Sequence, residues 1–174
     1  LEAASSKINA KGWFSPQSDS FSLSTAVDSP DLEKLLALTG ETKAKGSLKL
    51  DADFSGTFKK PVFTAKAKSE NLRIEKLNLG SIKLEASLDD SGNLKIHDLS
   101  LKNGPASLTA SGNAKISNNF NSIVSDTPVD LKASLKNFDP ALFWTESLPF
   151  SGIFKAELEA KGNAANSSAV LKSE

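Results

Sequence analysis

Apolar and polar residues alternate along most of this chain. Residues 46–58, GSLKLDADFSGTF, set the pattern: Leu48, Leu50, Ala52, Phe54 and Phe58 alternate with Lys49, Asp51, Asp53, Ser55 and Thr57. Successive strand side chains point to opposite sides, so this alternation predicts a β-strand with one dry and one wet face. Gly46 and Gly56 fall in phase with the apolar set. The pattern recurs with Ile8, Ala10, Gly12 and Phe14, then with Phe21, Leu23, Thr25 and Val27. It resumes at Phe63, Ala65 and Ala67, and passes through Leu72, Ile74, Leu77 and Leu79 to Ile82, Leu84, Ala86 and Leu88. Leu94, Ile96, Leu99 and Leu101 form the next run, followed by Leu108, Ala110, Gly112, Ala114 and Ile116. Val129, Leu131, Ala133 and Leu135, and finally Phe154, Ala156, Leu158 and Ala160, complete it.

Turn chemistry separates the runs. Residues 89–93, DDSGN, read as a hairpin turn in which Gly92 adopts positive φ. Asn103-Gly104-Pro105 reads as another turn, and residues 117–128 as a polar loop or edge. One short helix is expected near 30–38, with Ser29 as N-cap, Pro30 at the first helical position and Leu32, Leu35 and Leu36 on one face. Gly40 is its expected stop. Residues 137–150, around Trp144, form an aromatic connection with a helical turn possible after Pro140.

The run from Gly152 to Gly162 copies the run from Gly46 to Gly56, 106 residues earlier. The segments before them correspond as well, and NAKGWF near the start resembles TASGNAKI at 109–116. The expected organisation is therefore one continuous β-structure in repeat units. Residues 1–20 end one unit, 21–128 form a nearly complete unit, and 129–174 begin the next. Short turns between strands imply antiparallel pairing. A sheet with one apolar face can hide it in a sandwich, a barrel or a trough, and strands at both ends of a cut array suit the trough. The expected fold is all-β: an elongated antiparallel sheet curled into an open groove, with one short helix.

Composition narrows the function. Lys+Arg and Asp+Glu both number 21 in 174 residues, a balance that argues against nucleic acid as partner. There is no Cys, hence no disulfide and no thiolate chemistry. There is no Met, even at position 1, so the chain reads as a processed or excised piece. No apolar run approaches the roughly 20 residues of a membrane-spanning helix, so no transmembrane segment is expected within it. His97 is the sole histidine, so it cannot pair with a second one. Asp89-Asp90 lacks the spacing of a calcium loop and is accounted for by the hairpin. The lysines at 43, 45, 49, 59, 60, 66 and 68 are interleaved with acids and read as a solvated strand face. Asn166-Ser167-Ser168 matches a glycosylation sequon, a pattern common by chance. Nothing points to an enzyme, a metal or a cofactor. What remains is the apolar face itself, which reads either as sandwich core or as a groove for acyl chains.

The succession of Gly46, Gly56, Pro61, Asn71-Leu72, Asp90-Ser91-Gly92 and Ala110-Ser111-Gly112 resembles the repeats of the AsmA-like family, which includes the TamB type. The resemblance covers about residues 20–165. It implies a curled sheet lined with apolar residues, in proteins anchored in the inner membrane of diderm bacteria and extending through the periplasm. Such proteins are implicated in moving phospholipid to the outer membrane, and the TamB type also in assembling outer-membrane barrel proteins. The expected lining is Leu48, Leu50, Phe54, Phe58, Phe63, Leu84, Leu88, Leu108, Phe154 and Leu158. The expected partner is phospholipid or another acyl-chain lipid, with a barrel protein as a second. Two other readings stay open here: a module that accepts client strands along its sheet edge, and a passive β-sandwich spacer.

Overall fold

The computed structural model describes residues 2–3, 5–40, 43–116, 128–143, 152–163 and 167–173. They form a single antiparallel sheet in which consecutive strands are neighbours: β1 (Glu2–Ala3), β2 (Ser6–Ser15), β3 (Ser20–Ser29), β5 (Leu48–Thr57), β6 (Lys60–Ile74), β7 (Leu77–Leu88), β8 (Asn93–Asn103), β9 (Ala106–Lys115), β10 (Pro128–Phe138), β11 (Phe154–Asn163) and β12 (Ser167–Ser173). The short β4 (Ala44–Lys45) pairs with the far end of β6. β1 and β12 do not pair with each other, so the sheet is open.

Two strands carry extra residues that keep the apolar phase. On β8, Ala86 of β7 faces Ile96 while Glu85 faces Asp98, so His97 is the additional residue of a bulge. Without it, the step from Ile96 to Leu99 would turn one pair to the wrong face. On β6, register shifts between Ser69 and Leu72, and again at Arg73, return Leu72 and Ile74 to pairing with Gly80 and Leu77. Gly80 takes φ +69° there, and a Cβ would lie 2.2 Å from the Lys102 carbonyl oxygen.

The described residues hold two short helices rather than one. In α1 (Leu32–Ala37) the N-cap is Asp31, whose carboxylate accepts from the Lys34 N–H at 3.2 Å. Ser29 was expected there, but it still belongs to β3 opposite Leu48. Its buried hydroxyl accepts from Ser6 Oγ at 2.8 Å and donates to the Asp31 carbonyl at 3.1 Å. Leu32 is buried and its N–H donates to the Gly46 carbonyl at 2.7 Å. The second helix, α2 (Pro140–Phe143), buries Phe143, which stacks on Phe138 with ring centroids 4.7 Å apart. Asn103 Nδ2 ties it to the sheet by donating to the carbonyls of Leu142 and Asn78. Residues 117–127 and the Trp144 segment lie outside the described residues.

The repeated glycines all take positive φ. Gly46 and Gly152 have φ of +117° and +151°, and Gly56 and Gly162 have +100° and +136°. A Cβ on Gly12 would meet the Ser22 carbonyl oxygen and Leu23, and one on Gly112 would meet the Asp130 carbonyl oxygen and Leu131, both oxygens at 2.4 Å. Yet the cross-strand row through Gly12 ends at Ala114, two residues beyond Gly112. Equivalent positions thus shift by one row from unit to unit, so the pairing is staggered across the sheet.

The hairpin between β7 and β8 is held by Asp89. Its carboxylate accepts from the N–H groups of Ser91 and Asn93, both at 2.9 Å, and from Asn93 Nδ2 at 2.7 Å. The Asn93 side chain, then its N–H, holds the Asp89 carboxyl below its ordinary 3.8. A lowered folded value contributes stability above the unfolded pKa and loses it as pH falls through the folded one. An NMR titration of Asp89 is expected to show a midpoint below 3.8. Asp89→Ala is expected to lower the melting temperature slightly and to remove this hairpin's share of acid sensitivity.

Candidate functional site

Cross-strand partners in an antiparallel sheet share a face, so the register converts strand patterns into rows. One row reads Ile8, Val27, Leu50, Ala67, Leu84, Leu99, Ala110, Ala133, Leu158 and Leu171, an unbroken apolar line across ten strands. At the usual 4.8 Å between strands it spans roughly 43 Å. Beside it runs Ala10, Thr25, Ala52, Ala65, Ala86, Ile96, Gly112, Leu131 and Ala160. A third row holds Gly12, Leu23, Phe54, Phe63, Leu88, Leu94 and Ala114.

These rows place the ten residues expected to line the face. Leu50, Leu84 and Leu158 stand in the first row, and Phe54, Phe63 and Leu88 in the third. Leu108 pairs with Leu101 and Leu135 in a further row, and Leu48 lies two residues from Leu50 on the same side. Phe154 begins β11 opposite Phe138 and is 44% exposed. Phe58 falls in the turn after β5 instead of on a strand, and its ring meets those of Phe14 and Phe21. Ile8, Val27 and Leu99 join Leu50, Leu84 and Leu158 in the first row, with Ala67, Ala110, Ala133 and Leu171 between and beyond them. Their alternation is visible in sequence, but only the register shows that they join the others.

The apolar rows are neither core nor free surface. From Ile8 to Leu158 every member of the first row is half-buried. The buried apolar residues among those described are few: Leu32, Ala52, Ala86, Leu88, Ala106, Pro140 and Phe143. A sandwich would bury such rows against a second sheet, whereas all these strands belong to one sheet. A concavity of about 630 Å³ is bordered by Thr64, Ser87, Lys95 and Asn113, which alternate with Phe63, Leu88, Leu94 and Ala114 and so stand on the opposite face. Burial predicts unequal costs. Leu88→Ala, at a site 3% exposed, is expected to cost about 2–3 kcal/mol. Leu158→Ala, at a half-buried site, is expected to cost about 1 kcal/mol or less. Urea unfolding of the two variants checks this.

The opposite face is charged and paired. Directly opposed residues form the ion pairs Lys49–Asp28 at 3.3 Å, Lys66–Glu85 at 2.8 Å and Lys132–Glu159 at 3.7 Å. The Lys66 ammonium holds the Glu85 carboxyl below its usual range, and Asp98 holds the Lys83 ammonium above its own. Such exposed pairs are individually weak and fix register more than stability. His97 Nε2 lies 2.8 Å from Ser87 Oγ on this exposed face. Among the described residues no carboxylate hydrogen-bonds the ring. A concavity of about 650 Å³ borders His97, Thr109, Ser111, Lys132 and Ser134, whose Oγ is buried without a partner. Among the described residues no cluster of three or more metal-ligating side chains occurs, and no helix is long and apolar enough to cross a membrane.

No family model, curated protein or solved structure matches the chain, so the site rests on its own geometry.

Proposed function

We propose that the chain is a stretch of an AsmA-like lipid conduit of the periplasm, in which the apolar face carries the acyl chains of phospholipid between the inner and outer membranes. The observation that carries this reading is the unbroken apolar row from Ile8 to Leu171 on the face of an open sheet. Each acyl methylene removed from water contributes about 0.8 kcal/mol, so ten of them would supply on the order of 8 kcal/mol before ordering costs. Recognition of this kind needs no particular polar residue. The chain lies across the strands, the headgroup stays in solvent, and the next apolar position is one strand away. Movement is then a series of small, nearly equal steps. This is binding and guidance, with no covalent chemistry.

The parent protein, in this reading, is held in the inner membrane by a segment outside this sequence. An outer-membrane barrel protein is a second partner under the same resemblance. The open edge of β2 favours a subsidiary role in pairing with client strands, since among the described residues most of β2 beyond its two contacts with β1 has no neighbour on that side. A closed sandwich spacer does not describe a single open sheet.

Native mass spectrometry of protein purified from a diderm host tests the reading. Bound phospholipid of one or more copies is expected. Lipid-free protein that also fails to take up added phospholipid would contradict it.

A further inference from the structure

One corner of the sheet breaks the division into one dry and one wet face. Phe14 and Phe21 pair across β2 and β3, and Phe58 joins them from the turn after β5, with ring centroids 5.7 and 5.3 Å away. Phe14 is 53% exposed and Phe58 64% exposed despite these contacts. Trp13, on the opposite face of β2, is 59% exposed. Elsewhere that face of β2 carries Lys7, Asn9 and Lys11. The tip of the sheet therefore presents aromatic rings on both sides.

The repeat shows that the frame does not require these rings. The positions corresponding to Trp13, Phe14, Phe21 and Phe58 hold Asn113, Ala114, Val129 and Ala164 one unit later. The glycines and pairings around them are kept. The charges differ as well. One unit later Ala165 and Asn166 stand where this unit has Lys59 and Lys60. Lys59 and Lys60, beside Phe58, form no ion pair among the described residues, and both are exposed. Rings that combine an apolar body with rim exposure, flanked by unpaired cations, match the chemistry of a bilayer interface.

We propose that this corner docks on a phospholipid bilayer: Trp13, Phe14, Phe21 and Phe58 enter the interfacial zone while Lys59 and Lys60 reach the lipid phosphates. Phe14 and Phe21 stand in the row next to Gly12 and Leu23 on the apolar face, whereas Trp13 stands on the other, and the proposal does not depend on the rows' carrying lipid.

The test uses the full chain with Trp144→Phe, which leaves Trp13 as the sole tryptophan. Vesicles of phosphatidylglycerol and phosphatidylcholine are added. Trp13 emission is expected to shift to the blue and to be quenched by brominated lipid. Flotation is expected to weaken at least tenfold in Trp13→Ser, in the Trp144→Phe background. The double variant Lys59→Glu/Lys60→Glu should lose about fivefold per lysine on anionic vesicles, and little on pure phosphatidylcholine. Circular dichroism checks that the sheet is intact. Three results would overturn the proposal: no flotation, flotation with Trp13 still water-exposed, or a blue shift that follows protein concentration without lipid and so reports self-association. Co-purified phospholipid, measured in the same variants, reports on the apolar rows alone, so failure of one reading is separable from failure of the other.

Discussion

Leu50→Asp is expected to lower bound phospholipid by more than tenfold while leaving the sheet folded. Leu50 stands in the continuous row between Val27 and Ala67 and is half-buried. In the empty protein a carboxylate there keeps part of its hydration, so the fold tolerates it. An acyl chain laid across the row would strip that water away. Burying a charge without a partner costs several kcal/mol, and each 1.4 kcal/mol is a factor of ten in affinity. Ala52, two residues on, is the control for folding, because it is 4% exposed. Ala52→Asp should destroy the sheet itself, while Asp51→Asn on the wet face should change neither property. Circular dichroism with native mass spectrometry separates the three. Equal lipid content in Leu50→Asp and the parent would remove the apolar row from the account.

The second large effect concerns the backbone. Gly80→Val is expected to destabilise the protein by about 3 kcal/mol or more, enough to unfold a marginal domain. Gly80 sits at φ +69°, which a β-branched residue adopts at high cost. Its Cβ would also fall 2.2 Å from the Lys102 carbonyl oxygen and 3.0 Å from Asn103. Asn103 in turn bonds the backbone of both β7 and α2, so displacement there spreads to the helix. Gly104→Ala is the comparison. Gly104 has φ +58° but nothing within 4 Å of a Cβ, so its cost is limited to the conformational term, about 1 kcal/mol. Chemical denaturation measures both. A smaller loss in Gly80→Val than in Gly104→Ala would show that the close approach does not matter.

The strands were legible because their alternation is strong, and the repeat because glycines recur at fixed distance. Gly46, Gly56, Gly152 and Gly162 all take positive φ, so the sequence spacing had a backbone cause. Leu94, Ile96, Leu99 and Leu101 read as one run, and the bulge at His97 that keeps them on one face shows only against the partner strand. Ser29 looked like an N-cap because capping preferences are local. Pairing with Leu48 and the hydroxyl bond from Ser6 keep it in β3 and pass the role to Asp31. The candidate site was half legible. Which residues face one side follows from period two. Which residues stand beside one another across ten strands is a property of register, and that requires the fold. The aromatic corner was hidden for the same reason: Phe14, Phe21 and Phe58 are distant in sequence and meet only when β2, β3 and β5 align.

Photo-crosslinking along the two faces tests the central claim most directly. Benzoylphenylalanine is placed in turn at Val27, Leu84 and Leu158 on the apolar row, and at Lys49, Lys66 and Lys83 on the charged face. Irradiation in cells of a diderm host, followed by mass spectrometry of the protein, reads out attached phospholipid. Adducts at all three apolar positions and none at the charged ones are predicted. Equal labelling of both faces, or protein adducts alone at the apolar positions, would contradict the account.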